Sequence, residues 1–304
     1  MFELPPSASP WRLMQYGNVV VFMCRDHPPR IFADGALKLL EITLLPAVPI
    51  PVPVPTPTPL PQPTPVPTPK APLYPSSIVA TDFDFITDSD PNAFWTLDYL
   101  GLIPFEMPDK RPNPLPLLQD AYVFNAKFSD GTQVRIAESK EFGSKDAAQL
   151  DAERYISRLG KLPSVYRQKL RHIVVHKGGA DTTAFAEDKG HFFVIYSDNA
   201  TKRIGTHDLE ETFFHEATHA TIQVDHILGA PWIQAKTADN AFITDYAKSG
   251  GQEDFAESAL FAYTIIKHPE RFPLDERTKI EQQIPNRIAF FRGIFGEPVA
   301  LTNR

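Results

Sequence analysis

From Pro49 to Pro69 every second residue is proline, with Val, Thr, Ile, Leu or Gln between. Each proline removes a backbone donor and fixes φ, so the run can enter neither a helix nor the interior of a sheet. The expected conformation is polyproline II, a stiff spacer of about 3.1 Å per residue and on the order of 65 Å in all. A docking ligand for a proline-binding partner is the functional alternative. Either way the run divides the chain. The expected parts are an N-terminal segment 1–45 without clear period, a proline-rich linker 46–75 and a compact domain 76–304.

The composition excludes several classes. A net charge of −7 with no Lys/Arg cluster argues against nucleic acid as the main partner. No window approaches 18 consecutive apolar residues, so no membrane span is expected. Cys24 is the single cysteine, which rules out an intrachain disulfide. Val19 to Met23 is an apolar run after Arg12, but Gly17 and Asn18 leave it short for a signal sequence. The expected location is secreted or cell-surface, otherwise cytoplasmic, and the chain is expected to act as a monomer.

Within 76–304, residues 78–86 read as a strand. Tyr122–Phe128 and Thr132–Ile136 flank Ser129-Asp130-Gly131, a hairpin signal. Residues 144–160 read as an amphipathic helix opened by Ser144. Ile173–His176 and His191–Tyr196 read as short strands. From Thr206 onward the pattern is helical, interrupted at Gly229/Pro231, Gly250-Gly251 and His268-Pro269. Strands first and helices later predict an α+β domain.

The chemistry lies in the segment 209–220, which contains His215-Glu216-Ala-Thr-His219. Two histidines four apart on a helix lie one turn apart on the same face, within reach of one tetrahedral zinc. Glu216, beside the first histidine, is placed to take a proton from the attacking water. Leu209, Phe213, Ala217, Ala220 and Val224 form an apolar stripe on the opposite side, with Thr206 as a plausible N-cap.

A catalytic zinc needs a third protein ligand. On the same helix the candidate is Asp225, but Ile222 occupies the position where a glycine would let the chain turn back. His226 lies roughly 10 Å beyond His219 along a straight helix, too far for the same metal, and a pocket-wall or structural role is expected for it. A later helix, opened by Gly250-Gly251, offers Glu253 and Glu257 four apart on one face. Glu253 as ligand and Glu257 as hydrogen-bond acceptor from a ligating histidine fits the gluzincin arrangement. The competing reading is two solvated glutamates.

Tyr246-Ala-Lys-Ser-Gly-Gly-Gln-Glu253-Asp-Phe-Ala-Glu257 resembles the corresponding stretch of the anthrax lethal factor catalytic domain and of the clostridial Pro-Pro endopeptidases. The resemblance covers about fifty residues. It implies a zincin-like metallopeptidase of gluzincin type, a small mixed sheet plus an active-site helix followed by a helical C-terminal part. It implies one zinc held by His215, His219 and Glu253, with Glu216 as general base and Glu257 orienting a histidine. Tyr246 matches the tyrosine that donates a hydrogen bond to the oxyanion in that group. A peptide or protein substrate would lie along a sheet edge, supplied by His191–Tyr196 or Thr183–Ala186. Trp232–Tyr246 reads as a helical segment walling the pocket. The rival function is a non-catalytic, zinc-stabilised surface or interaction module on a proline-rich stalk.

Overall fold

The computed structural model describes residues 12–16, 19–25, 30–33, 36–39, 68–78 and 81–296. The chain divides into two units, Met1–Thr64 and Pro65–Arg304. In the first, β1 (Arg12–Tyr16), β2 (Val19–Met23), β3 (Arg30–Ala33) and β4 (Ala36–Leu39) form an antiparallel sheet in chain order. The expected polyproline stretch up to residue 67 lies outside the described residues.

The second unit is mixed α and β around a six-stranded sheet. Its strands are β5 (Phe94–Glu106), β6 (Leu118–Phe128), β7 (Gln133–Ser139), β8 (His172–His176), β9 (Phe185–Glu187) and β10 (Phe192–Tyr196), in the order β5-β6-β7-β8-β10-β9. The hairpin around Ser129-Asp130-Gly131 forms as read, with Gly131 at φ 83°. The β7–β8 and β8–β10 pairs are parallel, while β9 returns antiparallel on β10. Every residue of β10 is buried, as a strand covered on both faces requires.

Between β7 and β8 run α1 (Lys145–Lys161) and α2 (Ser164–Arg167), with Ser144 capping α1 through the Ala147 amide. After β10 come α3 (Ser197–Gly205), α4 (Leu209–Ala220), α5 (Ile222–His226), α6 (Ala230–Asp239), α7 (Gly251–Lys267), α8 (Leu274–Gln283) and α9 (Pro285–Phe295). The main core joins one sheet face to these helices through Phe124, Ile136, Phe193, Phe213, Phe214 and Phe255. A smaller core on the other face holds Met107, Val123, Val174 and Val194. Among the described residues no helix is long and apolar enough to cross a membrane.

Several local readings change. Residues 81–86 form bends rather than a strand, and Ile78 sits in a 3-10 turn. Their donors are claimed by helix carboxylates: the Ile78 amide donates to Glu257 (2.9 Å) and the Ile86 amide to Glu211 (3.4 Å). Their side chains fill gaps, with Phe83 edge-on to Phe272 and Phe85 edge-on to Phe261. Thr206 closes α3 instead of capping α4, whose N-cap position is Asp208. The site helix breaks at Thr221 (φ −128°, ψ −91°), so Val224 leaves the apolar stripe and is exposed. Helix α6 stops at Asp239, because Asn240 adopts φ 45°. The chain then runs extended, bridging Ala241 to Lys70 and Thr244 to Tyr74.

Candidate metal centre

Two helices build the site. His215 and His219 stand one turn apart on α4, whose opposite side buries Leu209, Phe213, Ala217 and Ala220. This packing fixes the helix in rotation and so fixes where the imidazoles point. Helix α7 begins after the extended Gly250 and carries Glu253 and Glu257 one turn apart. Its first turn is tied down by Asp254, which pairs with the buried Arg287 of α9 (2.8 Å). Arg287 also pairs with Asp239 at the end of α6 (3.0 Å).

Three donor atoms converge. His215 Nε2 lies 3.1 Å from Glu253 Oε2 and 3.0 Å from His219 Nε2, and His219 Nε2 lies 3.3 Å from the same oxygen. A tetrahedral zinc with bonds of about 2.05 Å would separate its ligands by roughly 3.3 Å, so the three atoms match one face of that polyhedron. No fourth His, Cys, Asp or Glu joins them among the described residues.

The second nitrogen of each histidine is also engaged. His215 Nδ1 faces Glu257 Oε1 (3.4 Å) and His219 Nδ1 faces Gln223 Oε1 (2.8 Å). When the Nδ1 protons point to these oxygens, neutral rings turn bare Nε2 lone pairs toward each other and toward a carboxylate. Two imidazole nitrogens and one carboxylate oxygen at such distances are a donor set that could hold a metal ion, and its composition suits zinc. Glu257 is itself fixed, its Oε2 accepting from Thr244 Oγ1 (2.7 Å) and the Ile78 amide (2.9 Å).

The titration behaviour follows from this crowding of negative charge. Burial alone would lower the His215 pKa, but the hydrogen bonds to Glu253 and Glu257 raise it to about 10. Burial would raise the Glu253 carboxyl, yet His215 and His219 hold it well below the usual range. Tyr246 is pushed up to about 12, by burial first and then by the charges of Glu253 and Glu216. It therefore keeps its proton and remains a donor at neutral pH.

Glu216 and Tyr246 both line the two adjoining cavities at the site, of about 240 and 410 Å³. The Tyr246 ring centre is 6.1 Å from that of His215. Thr183, Ala184 and the edge strand β9 form the facing wall, so Thr183–Ala186 is the segment beside the site. The alternative edge, His191–Tyr196, is interior, flanked by β8 and β9. A larger cavity of about 1160 Å³ lies elsewhere, and its Lys161 and Arg167 are already paired with Asp88, Glu210 and Asp130.

The remaining sequence candidates fall outside. Asp225 pairs with Lys169. His226 packs edge-on against Phe290. Trp232 and Ile243 are fully buried core. Reading the sequence missed Gln223, Thr244 and the Ile78 amide. Gln223 carried a usable signal, since it follows His219 by four residues; the other two carried none. The chain matches no family model, no curated protein and no solved structure.

Proposed function

We propose that this chain is a zinc-dependent endopeptidase with a zincin-like, gluzincin-type site. The observation that carries the proposal is the convergence of His215 Nε2, His219 Nε2 and Glu253 Oε2 within 3.0–3.3 Å of one another, beside a cavity lined by Glu216 and Tyr246. His215, His219 and Glu253 would hold the metal. Zinc, when bound, lowers the pKa of water toward 7 and polarises the scissile carbonyl.

Glu216 accepts a proton from the attacking water and passes it to the leaving amine. It lines both cavities beside the two histidines. The Tyr246 hydroxyl donates to the oxygen on which negative charge develops. Glu257 and Gln223 hold the two imidazoles in the tautomer that leaves Nε2 free. Among the described residues β9 is the outermost strand on its side, and its outer edge supports an extended peptide as substrate, because an open strand edge offers a ladder of donors and acceptors.

A purely structural zinc site would be closed by a fourth protein ligand and would have no use for Glu216 or Tyr246 at its rim. The test uses a peptide library and metal analysis together. Glu216→Gln is expected to retain one zinc and lose hydrolysis. Glu253→Ala is expected to lose the metal. Full activity in the first variant, or unchanged stoichiometry in the second, would sink the assignment.

A further inference from the structure

We propose that Lys110 is a specificity-determining residue of this cleft, selecting peptides that carry an acidic side chain at the position seated beside Phe185. The inference rests on the peptidase reading above and adds the class of substrate.

Lys110 belongs to the connection between β5 and β6, far in sequence from α4, yet it lines the same 410 Å³ cavity as His215, His219, Glu216 and Glu253. Its Nζ sits 3.7 Å from the centre of the Phe185 ring. Phe185 opens β9, the edge strand along which a peptide would pair. The aromatic face thus holds an ammonium at the rim of the substrate track.

The backbone around Lys110 is braced at several points. The Lys110 amide donates to Tyr196 Oη (2.7 Å), and His176 Nε2 donates to the Pro108 carbonyl (2.9 Å). Asp109 accepts from the Leu115 amide (3.0 Å) and pairs with Arg111 (2.8 Å). Arg111 in turn pairs with Glu141 (3.0 Å) and donates to the Lys177 carbonyl (2.7 Å). Neighbouring Asp109 is therefore committed to Arg111, and Lys110 has no carboxylate partner among the described residues. The other cation at the cleft, Arg203, is occupied by Asn199 (3.1 Å) and Asp208 (3.4 Å).

Strand alternation assigns Lys110 its position. Phe185 belongs to the core on the outer face of the sheet, whereas Ala184 and Ala186 pack toward the helices. A peptide paired with β9 alternates in the same way. Side chains on the Phe185 face project toward Lys110, away from the metal. There an unpaired cation, held in place before binding, favours a carboxylate.

The experiment is cleavage profiling of the zinc-loaded full chain on two matched libraries, one with amidated and one with free C-termini. Wild type is expected to enrich Asp or Glu at one position. Lys110→Met should lose that preference and Lys110→Glu should reverse it toward Lys or Arg. On the best acidic peptide kcat/KM is expected to fall roughly tenfold in Lys110→Met, mainly through KM, with zinc content unchanged. Cleavage by wild type without acidic preference, or an identical profile in Lys110→Met, overturns the inference and leaves the peptidase reading standing. An acidic preference that needs a free C-terminus makes the ligand a chain end and overturns the side-chain assignment. A zinc-loaded wild type that cleaves nothing overturns both readings.

Discussion

His219 Nδ1 lies 2.8 Å from Gln223 Oε1, a contact across the break that separates α4 from α5. The helix ends at Thr221, yet Gln223 is buried and turned back toward the histidine. Gln223 follows His219 by four residues, the spacing of one helical turn, and the contact is kept across the break. Thr221 compensates for its own irregular backbone by donating its hydroxyl to the Ala217 carbonyl.

The first prediction follows from this pair. Removing the acceptor frees His219 to rotate or to adopt the other tautomer. Gln223→Leu is therefore expected to weaken zinc binding about tenfold to a hundredfold. Competition against a chelator of known affinity measures it. Unchanged affinity would show that His219 is oriented by packing alone.

The candidate site was legible in the sequence to the extent that its parts repeat with the helical period. His215/His219 and Glu253/Glu257 are each one turn apart, so each pair declares its shared face. The Ser144 cap and the Ser129-Asp130-Gly131 turn were legible for the same reason, being local. What could not be read are contacts across long sequence separations. Glu257 takes its donors from Ile78 and Thr244, and Glu211 takes one from Ile86. These claims on backbone amides turned an apolar stretch with strand character into irregular filler around Phe83 and Phe85. Likewise no glycine or proline marks the Thr221 break, so no local signal announces it.

Glu211 gives a pH prediction. It lies one turn before His215, is buried, and its carboxyl is raised to about 8, chiefly by burial and further by Glu210 and Asp208. A carboxyl raised on folding binds its proton more tightly in the native state. Its stabilisation is full below the unfolded value near 4.5 and is lost as pH climbs through about 8. Glu211→Gln preserves an acceptor for the Ile86 amide and removes the titration. Between pH 6 and 9 wild type is expected to lose roughly 2–3 kcal/mol relative to Glu211→Gln. Paired denaturant titrations of the zinc-loaded proteins measure the difference; parallel stability curves would show that Glu211 does not titrate in this range.

Arg287 is the residue through which α9 reaches the helix turn that carries Glu253. Its guanidinium is 1% exposed as a residue and bridges Asp239 and Asp254, both buried. It also lies over the Trp232 ring, 5.6 Å from the ring centre. Asp254 is adjacent to Glu253, so the same pairing that stabilises the helical layer sets the phase of the first turn of α7. Replacing Arg287 with Met fills much of the volume but strands two buried carboxylates. The expected cost is about 3–5 kcal/mol. A double variant, Arg287→Met with Asp254→Asn, should recover part of it by removing one of the stranded charges. If Asp254 acts only in stability, zinc affinity in the folded double variant will equal that of wild type. The geometry predicts instead that affinity falls, because Glu253 loses the anchor that fixes its turn. Metal competition under conditions where both proteins are folded distinguishes the two outcomes.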